Sequence, residues 1–195
     1  MFIHNSTFII QHSHSMFKNP FQVAISFAII ALVVKLTAFS LDVQHGGMEK
    51  YIFYIYILLL LLTVFFGIRS NKIMNEASTS LGQDFKSGAR SASIFAILVT
   101  AITYMYYSNI DPEFFVIKKA DYLLTLPNKI NLAIKGGEMT IEQIKVKAIG
   151  DIQSTNIIFS PYLHSMATMF GLVFIGLFQS IVFAFLMKKS AGFKK

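Results

Sequence analysis

The stretch from Tyr51 to Ile68 reads YIFYIYILLLLLTVFFGI and decides the class of fold. A helix rises about 1.5 Å per residue, so about 20 apolar residues of this kind cross the roughly 30 Å of bilayer hydrocarbon. Hydrocarbon offers no hydrogen-bond partner to a backbone, so the segment must pair its own backbone groups as a helix. The stretch therefore predicts a transmembrane helix.

Three further apolar runs flank this one, and the first of them begins just after Pro20. The chain has 195 residues, of which 54% are hydrophobic, whereas a soluble domain has about 45–50%. The sequence predicts an all-α membrane protein whose four transmembrane helices lie in a domain covering residues 20–190. The predicted spans are about 21–41, 51–68, 92–110 and 166–187.

The basic residues lie mostly on one side of these spans, which predicts the orientation. The segment 1–19, the loop 69–90 and the tail 188–195 together carry nine Lys and Arg against two acids. The other side carries seven Lys against eight acids. We expect a multi-pass protein of the bacterial inner (plasma) membrane with both termini cytoplasmic. This asymmetry accounts for the net charge of +7, and no nucleic-acid partner is expected.

Seven of the eight tyrosines fall at the predicted outer ends of the second, third and fourth spans. Amphipathic rings favour the headgroup region, so this placement predicts an outer aromatic belt. The seven are Tyr51, Tyr54, Tyr56, Tyr104, Tyr106, Tyr107 and Tyr162.

Residues 111–160 form an insert between the third and fourth spans, and its first part begins with a helix signal. Asp111 fits an N-cap, followed by Pro112 at the first helical position and Glu113 in the first turn. A helix to about Leu124 is predicted, closed before Pro127.

The second part of the insert carries a capping box, in which Gln143 follows Thr140 by three residues. A second helix to about Ile149 is predicted, with Gly150 as the stop. Ser160-Pro161 predicts that the fourth span begins as a helix outside the membrane. The insert is therefore expected to be a small helical cap on the outer face.

Apolar residues from Leu81 onwards recur at helical spacing, which predicts a cytoplasmic extension of the third span. Within it, small residues at 88, 89, 92 and 96 form one narrow stripe. Such a stripe permits close helix approach, and Gly88 is a candidate helix contact, most simply with other helices of this chain.

Lys35 is the one charged residue inside a predicted span, and such residues suggest a function by default. No span contains an acid. Lys35 lies about 6–7 residues from the outer end of its helix, close enough for its stem to reach towards the interface. Snorkelling, or pairing with Asp111 or with an acid of a partner protein, is favoured over transport.

Few side chains suggest chemistry, and no catalytic, cofactor-binding or metal-binding residue is assigned. His12-Ser13-His14 has no accompanying carboxylate, and an axial haem pair of His45 and His164 is disfavoured. Gln179 and Ser180 of the fourth span are the best candidates for a polar contact between helices. No enzyme activity and no cofactor are expected.

Four segments occur together in a recognisable order: 81–88 before the third span, Ile110-Asp111-Pro112-Glu113-Phe114 after it, 136–144 in the insert, and Lys188-Lys189 closing the last span. Over residues 20–190 the chain resembles an uncharacterised family of four-helix bacterial membrane proteins, a domain of unknown function frequent in the Bacteroidota. The resemblance implies an inner-membrane protein of the same layout, with no reaction and no catalytic residues. Lys35 lies outside the pattern.

These features favour a non-enzymatic accessory or assembly subunit that packs against other inner-membrane proteins as well as lipid. The alternative is a small transporter or channel, which would need a polar track through the bundle. Lys35, Thr100, Thr103 and Gln179 are the candidates for that track. An enzyme acting on lipid through the insert is the third reading, and no convergent polar cluster supports it.

Overall fold

The computed structural model describes residues 19–44, 49–75, 79–136 and 140–189, and no strand occurs among them. The predicted His-bearing N-terminal segment, His45 and the end of the basic tail lie outside these residues. Six helices follow one another, with one π-helical turn at Tyr106–Ile110 after the third. The helices are α1 (Pro20–Ser40), α2 (Glu49–Met74), α3 (Leu81–Met105), α4 (Glu113–Lys135), α5 (Ile141–Ile158) and α6 (Pro161–Lys189).

Local signals in the sequence set several helix ends. The Asn19 side chain accepts a hydrogen bond from the Gln22 backbone N–H at 2.9 Å, with Pro20 as the first helical residue of α1. Full capping boxes begin α3, at Ser80, and α5, at Thr140. The predicted box at Thr140 and the predicted extension of the third span back to Leu81 are thus confirmed.

Helix α1 ends in a Schellman motif built on an aspartate. Asp42 has a φ of 53°, and its N–H donates to the Phe39 carbonyl at 3.0 Å. The Val43 N–H donates to the Ala38 carbonyl at 3.2 Å. Val43 then packs against the core, so the turn directs the chain back towards α2.

Four helices of the described residues, α1, α2, α3 and α6, are long and apolar enough to cross a membrane. This confirms the predicted all-α fold with four candidate spans. At 26 residues, α2 is about 39 Å long and extends beyond the hydrocarbon. The connection from α2 to α3 is therefore reduced to residues 75–80.

Helix α3 lies at the centre of the bundle and packs against α1, α2 and α6. Glycines and small side chains bring the backbones together, as is usual where lipid removes the hydrophobic drive between helices. A Cβ on Gly176 of α6 would lie 2.6 Å from the Ala92 Cβ of α3. A hydroxyl group also forms a hydrogen bond between two helices, because Ser87 of α3 donates to the Gly67 carbonyl of α2 at 3.0 Å.

Helices α4 and α5 form an antiparallel pair outside the four candidate spans, here called the hairpin. Leu126 and Ile144 are buried in it, and the rings of Tyr122 and Phe159 lie 5.5 Å apart. Lys119 donates to the Asn156 side chain across the pair. The end of the bundle that carries the hairpin is called the hairpin end.

Three predicted boundaries in the insert are wrong. Asp111 is not an N-cap, because α4 starts at Glu113 and Pro112 occupies the capping position. Helix α4 continues through Pro127 to Lys135, and α5 continues through Gly150 to Ile158. Packing between the two helices outweighs one lost backbone hydrogen bond at the proline and the low helix propensity of the glycine.

The predicted aromatic belt is correct only in part. Tyr51, Tyr54, Tyr104 and Tyr162 are exposed on the bundle surface, as a belt requires. Tyr56, Tyr106 and Tyr107 instead point inward and are at most 4% exposed. These three tyrosines line a cavity at the hairpin end.

Candidate functional site

The hairpin end of the bundle contains a cavity of about 330 Å³, within the size range of small-molecule sites. We call it the tyrosine pocket. It lies where α1 and α3 end and α2 and α6 begin, and four helices therefore contribute to its wall. Its lining residues are Lys35, Gln44, Lys50, Ile52, Phe53, Tyr56, Thr103, Tyr106, Tyr107, His164 and Thr168.

Lys35 projects into this pocket rather than into lipid. On α1 it continues the buried stripe that includes Ala28 and Ala31, and it is 4% exposed. Its Nζ donates to the Tyr107 hydroxyl at 3.0 Å. The same ammonium lies 4.4 Å from the ring centre of Tyr106 and 4.1 Å from that of Tyr107. Contacts of this kind stabilise a desolvated cation by about 2 kcal/mol.

The π-helical turn after α3 explains how two consecutive tyrosines both reach the interior. The Asp111 N–H donates to the Tyr106 carbonyl at 3.0 Å, five residues back instead of the usual four. The widened turn leaves Tyr106 1% and Tyr107 4% exposed. No proline or glycine marks this turn in the sequence, so the usual breaker signals do not reveal it.

An aromatic cluster fastens the hairpin to the pocket wall. The Tyr107 ring lies 4.6 Å from the ring of Phe114, 5.0 Å from that of Phe115 and 5.2 Å from that of His164. Beside it, the Tyr106 hydroxyl donates to Asp111 Oδ2 at 3.4 Å, and Asp111 is 4% exposed. The first turn of α4 is thereby held against the end of α3.

Three buried polar atoms of the pocket lining have no hydrogen-bond partner. They are Gln44 Oε1, the Tyr56 hydroxyl and Thr103 Oγ1. Tyr56 and Thr103 are neighbours, yet neither oxygen completes a hydrogen bond of normal geometry. A buried polar group left in this state costs about 1–3 kcal/mol. The pocket therefore holds unused hydrogen-bonding capacity next to a cation.

A buried ion pair lies at the opposite end of the bundle, where α2 ends and α3 begins. Lys72 Nζ is 2.7 Å from Asp84 Oδ2, and the two side chains are 5% and 1% exposed. The Thr79 hydroxyl donates to Asp84 Oδ1 at 2.7 Å and accepts from Lys72 Nζ at 3.1 Å. From the sequence alone, Lys72 and Asp84 count only as charges of the loop 69–90. Nothing in their spacing shows that the ends of α2 and α3 enclose the two side chains.

Residues 21–189 match a family model described as Protein of unknown function (DUF4199). The chain belongs to this family. The resemblance to a four-helix family of unknown function is thereby confirmed. No curated protein and no solved structure matches the chain.

The residues singled out from the sequence fall into two groups in this DUF4199 protein. Lys35 and Asp111 lie at the hairpin end, and both contact Tyr106. The Lys35 ammonium lies over the Tyr106 ring, and Asp111 accepts a hydrogen bond from the Tyr106 hydroxyl. Gly88 and Ser180 meet where α3 packs against α6, and a Cβ on Gly88 would lie 2.9 Å from Ser180 Oγ.

Ser180 of the fourth span packs against Gly88 of α3, but its hydroxyl does not link the two helices. The Ser180 hydroxyl donates to the Gly176 carbonyl of its own helix at 2.6 Å. Gln179 is half-buried, and its Oε1 has no hydrogen-bond partner. Of the predicted polar track in this DUF4199 chain, Lys35 and Thr103 line the pocket, whereas the Thr100 hydroxyl bonds to the Ala96 carbonyl.

Proposed function

We propose that the protein is a non-enzymatic integral membrane subunit, with its hairpin on the extracytoplasmic side of the inner membrane. In this proposal the hairpin docks onto a larger membrane protein and acts as its accessory or assembly factor. The observation that carries the proposal is the exposed aliphatic surface of α4 and α5. Exposed apolar surface of this extent is typical of interaction sites.

Part of the exposed apolar surface of helix α4 forms a stripe, and Leu132, which is 70% exposed, lies beside it. Val116, Leu124 and Ile134 are 67%, 77% and 52% exposed. At about 100° per residue they lie within roughly 80° of one another on the helix surface. Leu124 projects about 160° away from Leu126, which is buried on the packing side of α4.

Helix α5 exposes aliphatic side chains on more than one side. Val146, Ile152 and Ile157 are 72%, 49% and 66% exposed, and Ile152 and Ile157 project about 140° apart. A helix lying on a lipid surface has one apolar face and one charged face. A flat membrane surface covers only one side of α5, so a protein partner that contacts two sides fits better.

Position-specific cross-linking tests the docking surface. We expect a photoreactive amino acid at Leu124 to give one protein adduct in native membranes. The matched position is Thr125, which is also exposed but about 100° further around α4, and it should give none.

Two charge variants complete this test. Because Leu124 and Val146 are exposed, Leu124→Glu and Val146→Glu should abolish co-purification of the cross-linked protein without changing the melting temperature. Adducts with lipid alone, or identical adducts from Leu124 and Thr125, would contradict the proposal.

The orientation has its own test, which the absence of cysteine from the chain makes simple. We expect a membrane-impermeant maleimide to label Lys147→Cys in intact cells. Lys86→Cys, exposed near the other end of the bundle, should react only after permeabilisation. The reverse pattern would place the hairpin in the cytoplasm.

The tyrosine pocket favours a small solute carrier as a second candidate. A carrier needs a polar cavity reached from one side, and this cavity is polar at its hairpin end. It also needs an exit on the opposite side of the membrane, whereas the described core there is formed mainly by fully buried apolar residues such as Ala31, Phe95 and Val64. Solute exchange by the purified protein in liposomes would favour the carrier over the subunit.

A further inference from the structure

The tyrosine pocket has a strongly one-sided charge, independent of the hairpin surface. Two lysines and a histidine, Lys35, Lys50 and His164, line it, and none of the described lining residues is acidic. Asp111 is buried, does not line the cavity and accepts a hydrogen bond from the Tyr106 hydroxyl at 3.4 Å. A guest in the cavity therefore meets cations and hydroxyl groups.

The hydroxyl groups without a hydrogen-bond partner indicate which chemical class of ligand the pocket would bind. The hydroxyls of Tyr56 and Thr103 are both deeply buried and can each donate one hydrogen bond. The Lys35 ammonium, which donates to the Tyr107 hydroxyl, brings a positive charge to the same cavity. Donors that line one cavity together with a cation match an oxyanion, because hydrogen bonds to charged acceptors are stronger than those between neutral groups.

The apolar part of the pocket lining indicates that the ligand carries an organic moiety next to its anionic group. Ile52 and Phe53 line the cavity along with the tyrosine rings, and the volume exceeds what one inorganic ion fills. Gln44 adds an amide that can present either of its ends to a polar substituent. The lining thus combines one polar corner with an apolar side.

We propose that the tyrosine pocket binds a small organic anion, whose carboxylate or phosphate group is held by the Lys35 ammonium and the hydroxyls of Tyr56 and Thr103. The same chemistry occurs in a free organic anion and in a phospholipid headgroup. The pocket lies at the hairpin end of the bundle, which both a dissolved anion and a lipid headgroup can reach. The residues that carry this proposal are distinct from the exposed residues of the hairpin surface.

Two probes establish whether an anion binds at all. The full-length protein, in nonionic detergent, is titrated by calorimetry with phenyl phosphate and with benzoate, and benzyl alcohol serves as the uncharged comparison. We expect the anions to bind and to raise the melting temperature in proportion to the logarithm of their concentration at saturation, with no effect of the alcohol. Equal binding of benzyl alcohol and the anions would overturn the proposal.

Removal of single oxygens then tests the assigned contacts. Neither the Tyr56 nor the Thr103 oxygen completes a hydrogen bond within the described part of the chain, so Tyr56→Phe and Thr103→Val should fold at least as well as the parent protein. Each should weaken anion binding about 10-fold or more, in line with a lost hydrogen bond to a charged group. Thr100→Val, one turn away with its hydroxyl on the Ala96 carbonyl, is the matched control and should bind normally.

Lys35→Met should abolish binding of both anions. If this variant does not fold, the two hydroxyl variants still decide the matter. Unchanged affinity in Tyr56→Phe and Thr103→Val would show that the anion lies elsewhere and overturn the proposal.

The source of the anion is distinguished in nanodiscs. Discs of phosphatidylcholine alone are compared with discs that also contain phosphatidylglycerol. Stabilisation by phosphatidylglycerol that Tyr56→Phe removes identifies a lipid headgroup, and stabilisation only by phenyl phosphate or benzoate identifies a free anion. No stabilisation by any of the three would overturn the proposal, whatever the cross-linking of the hairpin shows.

Discussion

Replacing Asp84 with alanine should lower the free energy of unfolding by about 3–5 kcal/mol, the largest single effect expected from a polar residue of this protein. The reason is the surroundings of Lys72, which is 5% exposed and has Asp84 Oδ2 at 2.7 Å. Without the carboxylate, the ammonium stays buried, and among the described residues its remaining hydrogen-bond partner is the Thr79 hydroxyl. Thermal unfolding in detergent, followed by circular dichroism, measures the loss.

Two further variants show whether the loss of stability comes from breaking the Lys72–Asp84 ion pair. Lys86→Ala removes an exposed charge two residues along the same helix and should change the stability by less than about 0.5 kcal/mol. The double variant Lys72→Met/Asp84→Leu should recover most of the loss, because an apolar pair needs no desolvated charge. An Asp84→Ala protein that melts like the parent would mean that Lys72 reaches water.

Replacing Gly176 with alanine should lower the stability by about 1–3 kcal/mol, although alanine is the better helix former. The added Cβ would lie 2.6 Å from the Ala92 Cβ and 3.3 Å from Leu60 Cδ1. A Cβ has no rotamer by which it can move away, so α6 must shift from α3. The melting temperature in detergent reports the change.

The chain offers a matched control and a rescue for this prediction. Gly171 lies on the same helix with nothing within 4 Å of its added Cβ, so Gly171→Ala should leave the stability unchanged or raise it. Ala92→Gly combined with Gly176→Ala restores the space and should recover part of the loss. Equal melting temperatures for Gly171→Ala and Gly176→Ala would contradict the close approach of the two helices.

The spans could be predicted from the sequence because lipid imposes a simple rule on apolar runs. Helix starts at Pro20, Leu81 and Ile141 follow from caps whose residues are adjacent in the chain. The ends of α4 and α5 could not be predicted in this way. Contacts between the two helices, distant in sequence, decide that they continue through Pro127 and Gly150.

The pocket could be predicted only in part for the same reason. Lys35 stood out because any charge inside a span is costly. The sequence predicts that its partner Tyr107 lies at the membrane interface, because nothing in the sequence shows that a π-helical turn directs this side chain inward. The Lys72–Asp84 pair was missed because a burial of 5% and 1% is a property of the assembled helices.

The fastening of α4 to the end of α3 makes the hairpin and the pocket one mechanical unit. Asp111 accepts from the Tyr106 hydroxyl just before α4 begins, and the ring of Phe114 in α4 lies 4.6 Å from that of Tyr107. A displacement of α4 is therefore passed on to the two rings that contact Lys35. If the pocket and the hairpin both bind as proposed, a ligand that shifts these rings changes the affinity of the hairpin by the same factor as the hairpin's partner changes the affinity for the ligand.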